Sequence, residues 1–83
     1  MDSTYKTVDL SNVENGDENL NLVMSRINNS LLSASRDGNI EAVRYLVEQR
    51  GANIEARDYR SGNTPLICAS ENGNCEVVKY LIE

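Results

Sequence analysis

The side chains best suited to chemistry in this 83-residue chain are two cysteines, Cys68 and Cys75, and thirteen carboxylates. A thiol can serve as nucleophile or metal ligand, and two positioned carboxylates can serve as acid and base. Neither assembly can be put together from these residues. Histidine is absent, so Cys68 has no evident base. Two cysteines alone fall short of the four Cys or His ligands that structural zinc takes. No Gly-rich phosphate loop is present, and the acids fall where helix caps, turns and solvated faces account for them. The chain therefore reads as no enzyme, with no metal, no cofactor and no small-molecule substrate. Its thiols read as reduced small hydrophobes packed in a core.

The elements that would carry a binding surface come next. With 40% hydrophobic residues, no Phe, no Trp and four Tyr, the chain has an aliphatic core of modest size, fitting one domain at most. Its net charge of −5 arises from dispersed residues of both signs, which argues against nucleic acid as a partner, because counterion release needs clustered Lys or Arg. No stretch reaches the roughly 18 apolar residues of a membrane span. The start, MDSTYKTVDL, lacks the basic and apolar parts of a secretory signal. A cytoplasmic location, with a nuclear one as the alternative, is the expectation.

Slid against itself, the chain matches at an offset of 35 residues: NSLLSASRDGNIEAVRYLVE from Asn29 lies over TPLICASENGNCEVVKYLIE from Thr64, with half the positions identical. Among the identities are Leu31/Leu66, Ala34/Ala69, Gly38/Gly73, Asn39/Asn74, Val43/Val78, Tyr45/Tyr80 and Leu46/Leu81. Self-similarity at such a period marks stacked units, none of which can bury its apolar face alone. Each unit reads as two short helices. Thr64 is an N-cap and Pro65 suits the first helical position. Asp37-Gly38 and Asn72-Gly73 end the first helices, Asn39 and Asn74 cap the second, and Glu41 and Glu76 suit its first turn. Val43, Leu46 and Val47, with Val78, Leu81 and Ile82, place an apolar face toward the core. The opposite faces, with Glu41, Arg44, Glu48, Glu76, Lys79 and Glu83, are either solvated or a docking surface. The linking segment Gly51–Asn63 has Gly51 as a helix stop, Ile54 as a lone apolar anchor and a turn framed by Asp58 and Gly62. It predicts a short protruding hairpin.

Residues 1–16 are polar, with Asn15-Gly16 as a turn, and read as a disordered tail. Within it, Tyr5 to Leu10 is either solvated or a short peptide motif. From Asp17 the spacing of Leu20, Val23, Met24, Ile27 and Leu31 predicts an amphipathic helix over 17–28. That helix either caps the exposed apolar edge of the first unit or binds a partner.

Gly62, Thr64-Pro65-Leu66, Ala69, Gly73, Val77-Val78 and Leu81, with Gly51-Ala52 and Asp58 in the link, resemble the ankyrin repeat family over Asn29–Glu83. The resemblance implies an all-α solenoid of helix–turn–helix repeats joined by a short β-hairpin link, with a first repeat over 29–58 and a second over 59–83. Three features depart from the family. Its usual spacing is about 33 residues, two fewer than here. Ile67 stands where the family commonly has His, so stacking is expected to lean on apolar contact. Asn29-Ser30 replaces Thr-Pro, as suits a terminal repeat. Two repeats are fewer than a solenoid generally needs, which suggests the start of a longer array.

In function the resemblance implies protein binding through hairpin tips and the ends of the first helices. Carried over by position, the partner-binding residues are Arg57, Tyr59, Arg60, Ser61 and Asn63 on the hairpin, Arg36 and Asp37 in the first unit, and Glu71 and Asn72 in the second. Arg57, Tyr59 and Arg60 form a basic patch on an acidic protein, which suits a protein partner with an acidic or carboxylate-bearing surface. The competing reading pairs Arg57 with Glu55 and lays Tyr59 on the next repeat. The alternative function is a regulatory or targeting region for an enzymatic domain beyond Glu83.

Overall fold

The structure, a computed structural model, describes the backbone of residues 12–83 and side chains from Asn21 onward. The described residues form four helices and no strand: α1 Asn12–Asp37, α2 Ile40–Arg50, α3 Pro65–Glu71 and α4 Cys75–Ile82. They make two antiparallel pairs, α1 with α2 and α3 with α4, stacked so that α1 packs on α3 and α2 on α4. No described helix is long and apolar enough to cross a membrane.

Local chemistry sets most helix ends. Thr64 has extended backbone angles and its hydroxyl accepts from the Ile67 N–H at 3.3 Å, with Pro65 in the first turn. Asn39 caps α2 by accepting from Ala42 N–H at 3.1 Å. Gly51 ends α2 in the left-handed conformation at φ +70°, and the Ala52 N–H reaches back to the Leu46 carbonyl at 3.0 Å. Ala52, buried beside the core, is the anchor of the link, whereas Ile54 stays 39% exposed.

Two expected boundaries merge in the structure. The amphipathic segment over 17–28 and the first helix of repeat one, expected from Asn29, are one helix that already begins at Asn12. No proline interrupts this stretch, and Gly16 in a helix costs only about 1 kcal/mol. Ile27 and Leu31, one turn apart, keep a single face on the core. The Asn28 side chain faces the link and accepts from the Asn53 N–H at 2.8 Å. Met24 and Ile27 pack against the core, while Leu22 and Val23 lie about half exposed. Of the tail expected over 1–16, residues 12–16 with the expected Asn15-Gly16 turn belong instead to α1, while residues 1–11, with the Tyr5–Leu10 motif, and the Leu20 side chain lie outside the described residues.

The core joins Ile27, Leu31, Ala34, Val43, Ala52, Ala69 and Val77, flanked by half-buried Leu46, Val47, Val78 and Leu81. Leu31, Val43 and Val77 are fully enclosed, each contributing about 1.5–3 kcal/mol. In α4 the deepest residue is Val77, where the spacing pointed to Val78 and Ile82. Val78 is half-buried and Ile82 is 65% exposed. Neighbouring positions on a helix are about 100° apart, so both valines reach inward and the packing of the repeats decides which is sealed. The thiols also part company, with Cys68 buried and Cys75 exposed at the start of α4.

Candidate protein-binding surface

The link between the repeats reverses direction through a turn built on Asp58. Its Oδ1 accepts from the backbone N–H of Arg60 at 2.7 Å and, more weakly, of Ser61 at 3.4 Å. The backbone closes beneath it, with Asp58 N–H donating to the Asn63 carbonyl and Gly62 N–H to the Asp58 carbonyl. Gly62 has φ +76°, a conformation other residues adopt only with strain. This is a hairpin-like reversal without strands, since one close pair of backbone groups does not extend into a ladder. The N–H of Arg60 holds the Asp58 carboxyl below its ordinary value of 3.8, against a smaller effect of burial and with help from Ser61 N–H and the charges of Arg36 and Arg60.

The same carboxylate ties the turn to the helices. Asp58 Oδ2 lies 3.4 Å from the Arg36 guanidinium in the last turn of α1, an ion pair open to water and worth little by itself. It nevertheless fixes the turn beside α1. Between them opens a shallow cleft of about 350 Å³ lined by Asn29, Leu32, Arg36, Asp58, Tyr59 and Arg60.

Tyr59 stands at the rim, 85% exposed, with the Arg60 guanidinium 5.6 Å from its ring centroid and Arg60 Nε 3.4 Å from its hydroxyl. It does not lie on the next repeat. Arg57 does not pair with Glu55 and instead reaches the Gly62 carbonyl at 3.5 Å. Among the described residues neither Arg57 nor Arg60 has a carboxylate partner, so the tip keeps unspent positive charge.

The remaining expected residues divide. Ser61 accepts from Asn63 N–H at 3.2 Å, and the Asn63 amide reaches Glu71 at 3.3 Å, joining the link to the end of α3. Asp37 is exposed at the end of α1. Asn72 is turned back on its own helix, donating to the Cys68 carbonyl at 2.8 Å. Sequence reasoning missed Asp58, Asn29 and Leu32 as parts of this surface. Asp58 had a signal, since Asp two residues before a free N–H and four before Gly makes such a turn. Asn29 and Leu32 had none, because only the folded link comes to rest beside them.

A second contact between repeats was equally hidden. Asn74, expected to cap α4, makes no side-chain cap bond. Its amide crosses to repeat one and donates to the carbonyls of Ser35 at 2.8 Å and Arg36 at 2.9 Å, at the open end of α1. On the other layer the Tyr80 hydroxyl donates to Glu48 at 2.8 Å under the Arg44 guanidinium. Burial and the adjoining Glu48 carboxylate raise the Tyr80 hydroxyl above its ordinary 10.0, opposed by Arg44. No described cluster of three or more His, Cys, Asp or Glu could hold a metal ion.

The paired helices, the glycine stops and the stitched stack have a counterpart among known families. A family model described as ankyrin repeats (many copies) matches residues 31–82. No curated protein and no solved structure matches the chain. The match covers well over half of the sequence and both helix pairs, and the chain belongs to the ankyrin repeat family.

Proposed function

We propose that this chain is a non-catalytic protein-binding module that engages a partner's acidic surface at the tip of the link. Ankyrin repeats are in general protein–protein interaction modules. The observation that carries the finer reading is Tyr59, 85% exposed under the stacked Arg60 at the rim of the cleft that Arg36 also lines. A partner that covers a large exposed aromatic ring removes apolar area from water, and guanidinium groups match carboxylates with two parallel hydrogen bonds. The shallow cleft lined by Asn29, Arg36 and Asp58 gives such a partner a mainly polar seat next to the charges. Ser61, Asn63 and Glu71 extend the surface along the start and end of α3.

Immobilised Asp/Glu-rich and Lys-rich peptides of equal length test this reading. The chain is expected to bind the acidic set, more weakly as salt rises, and Tyr59→Ala with Arg60→Ala is expected to cost about tenfold or more in affinity. Circular dichroism should show the double variant still folded. Equal binding to both peptide sets, or no loss in the double variant, would reject the proposed surface.

A further inference from the structure

Three guanidinium groups belong to the proposed surface, and they are not in one state. Arg57 and Arg60 have no carboxylate partner among the described residues, whereas Arg36 is already engaged by Asp58 of the same chain at 3.4 Å. Arg36 and Asp58 both line the shallow cleft of about 350 Å³, at whose rim Tyr59 stands. A carboxylate thus sits where the surface would take one from a partner.

The two oxygens of that carboxylate do separate work. Oδ1 accepts from the Arg60 N–H at 2.7 Å and from the Ser61 N–H at 3.4 Å, and the Asp58 carbonyl accepts from the Gly62 N–H. The turn therefore closes without Oδ2. Oδ2 meets one Nη of Arg36, at a distance long for a charge-assisted bond, which is ordinarily about 2.7–2.9 Å. The Arg36 side chain is 47% exposed, and a pair this open to water is held weakly. The backbone beneath it is held firmly. The Arg36 carbonyl accepts from the Asn74 amide at 2.9 Å, and the Asn53 N–H donates to Asn28 at 2.8 Å, which keeps the link beside α1. The two side chains can change partners while helix and link stay in place.

We propose that Arg36 is a carboxylate-binding subsite of the cleft and that Asp58 Oδ2 is its internal occupant, which an aspartate or glutamate of the partner displaces. This rests on the reading of the link as a surface for an acidic partner, and it names the group that the cleft recognises. The exchange trades one long contact for the two parallel bonds that a guanidinium makes with a well-aligned carboxylate. A neutral amide or hydroxyl offers Arg36 less than the charge it would have to displace. The subsite therefore selects ionised carboxylates, with Asp58 as the competitor that turns other acceptors away.

The test titrates the full chain with a labelled Glu-rich peptide and with its Gln-for-Glu counterpart. Asp58→Asn keeps an oxygen for the Arg60 and Ser61 N–H groups but places beside Arg36 an amide nitrogen, which cannot accept from it. This variant is expected to bind the Glu-rich peptide about threefold more tightly than the wild type, the scale of an exposed ion pair. In an Arg36→Ala background the same substitution is expected to change nothing, since the competition has lost its object. Glu55→Gln, which removes a charge from the same link away from Arg36, is expected to have a much smaller effect. Arg36→Ala alone should weaken the Glu-rich peptide and leave the Gln counterpart unchanged. In the wild type, which needs no substitution, the Arg36 Nε–H resonance is expected to shift as the Glu-rich peptide is added. An unmoved resonance, no gain in Asp58→Asn, a gain that persists without Arg36, or an equal gain in Glu55→Gln would overturn the proposal. Binding of the Glu-rich peptide by the wild type with any of these results overturns the subsite alone, whereas no binding by any variant overturns the acidic-partner surface with it.

Discussion

Asn39 and Asn74 occupy the same place in the two repeats, each just before a second helix, and they do different things. Asn39 accepts from Ala42 N–H within its own unit, while Asn74 donates to two carbonyls of the unit before it. Tyr45 and Tyr80 part in the same way. Tyr45 is 53% exposed, whereas Tyr80 bridges to Glu48 beneath Arg44. Identical side chains thus serve local structure or inter-repeat structure depending on whether a neighbour is there to receive them. In a solenoid the stability of a unit and the stability of its interface are separate quantities, and the paired positions measure them separately.

The widest gap is expected at Leu31 and Leu66. Leu31 is fully buried and Leu66 only partly, so Leu31→Ala should cost about 3–4 kcal/mol and Leu66→Ala about half of that, read by urea denaturation. Similar losses at the two sites would break the view that repeat one holds the centre of the core. Gly38 and Gly73 come next. Both have positive φ, so Ala at Gly73 should cost about 1 kcal/mol in backbone strain alone, and Ala at Gly38 on the order of 2 kcal/mol because Asn74 must also give way.

Ser35 sharpens the comparison with the opposite sign. Its hydroxyl is fully buried with no hydrogen-bond partner among the described residues, whereas Ser70 is exposed. Ser35→Ala is therefore expected to stabilise the fold by about 1 kcal/mol, and Ser70→Ala to change little. A destabilised Ser35→Ala variant would show that the hydroxyl does find a partner.

The smallest effect is expected at the tyrosines, where Tyr80→Phe should cost about 0.5 kcal/mol and Tyr45→Phe nothing measurable. Because the folded Tyr80 hydroxyl titrates above its unfolded value of 10.0, its contribution is complete below pH 10 and fades as pH rises through the folded value. Thermal melts from pH 8 to 11 should accordingly converge for the wild type and Tyr80→Phe at the alkaline end. Divergence there would remove Tyr80 from the interface.

Much of the fold was legible in the residues. The 35-residue repeat, Pro65 after Thr64, and Gly38, Gly51 and Gly73 at the helix ends each act within a few residues of themselves, so their consequences can be read without a neighbour. The sequence divides α1 in two because repeat two starts its first helix at Thr64-Pro65, over which Asn29 and Ser30 lie. Their penalties are a few tenths of a kcal/mol each, too small to break a helix whose apolar face is already buried. Of the proposed surface, Tyr59 and Arg60 were legible as types in an exposed turn, while the cleft beside them was not.

By itself, then, the sequence determined the repeat, the helix stops and the aliphatic core, because these depend on local backbone preference and side-chain inventory. Only the tertiary structure decided that Asn74 and Tyr80 reach across to repeat one, that Asp58 pins the link to Arg36, and that Val77 is sealed while Ile67 and Ile82 are left open. Those outcomes depend on which surfaces meet, and two nearly identical repeats carry the same residues into different surroundings.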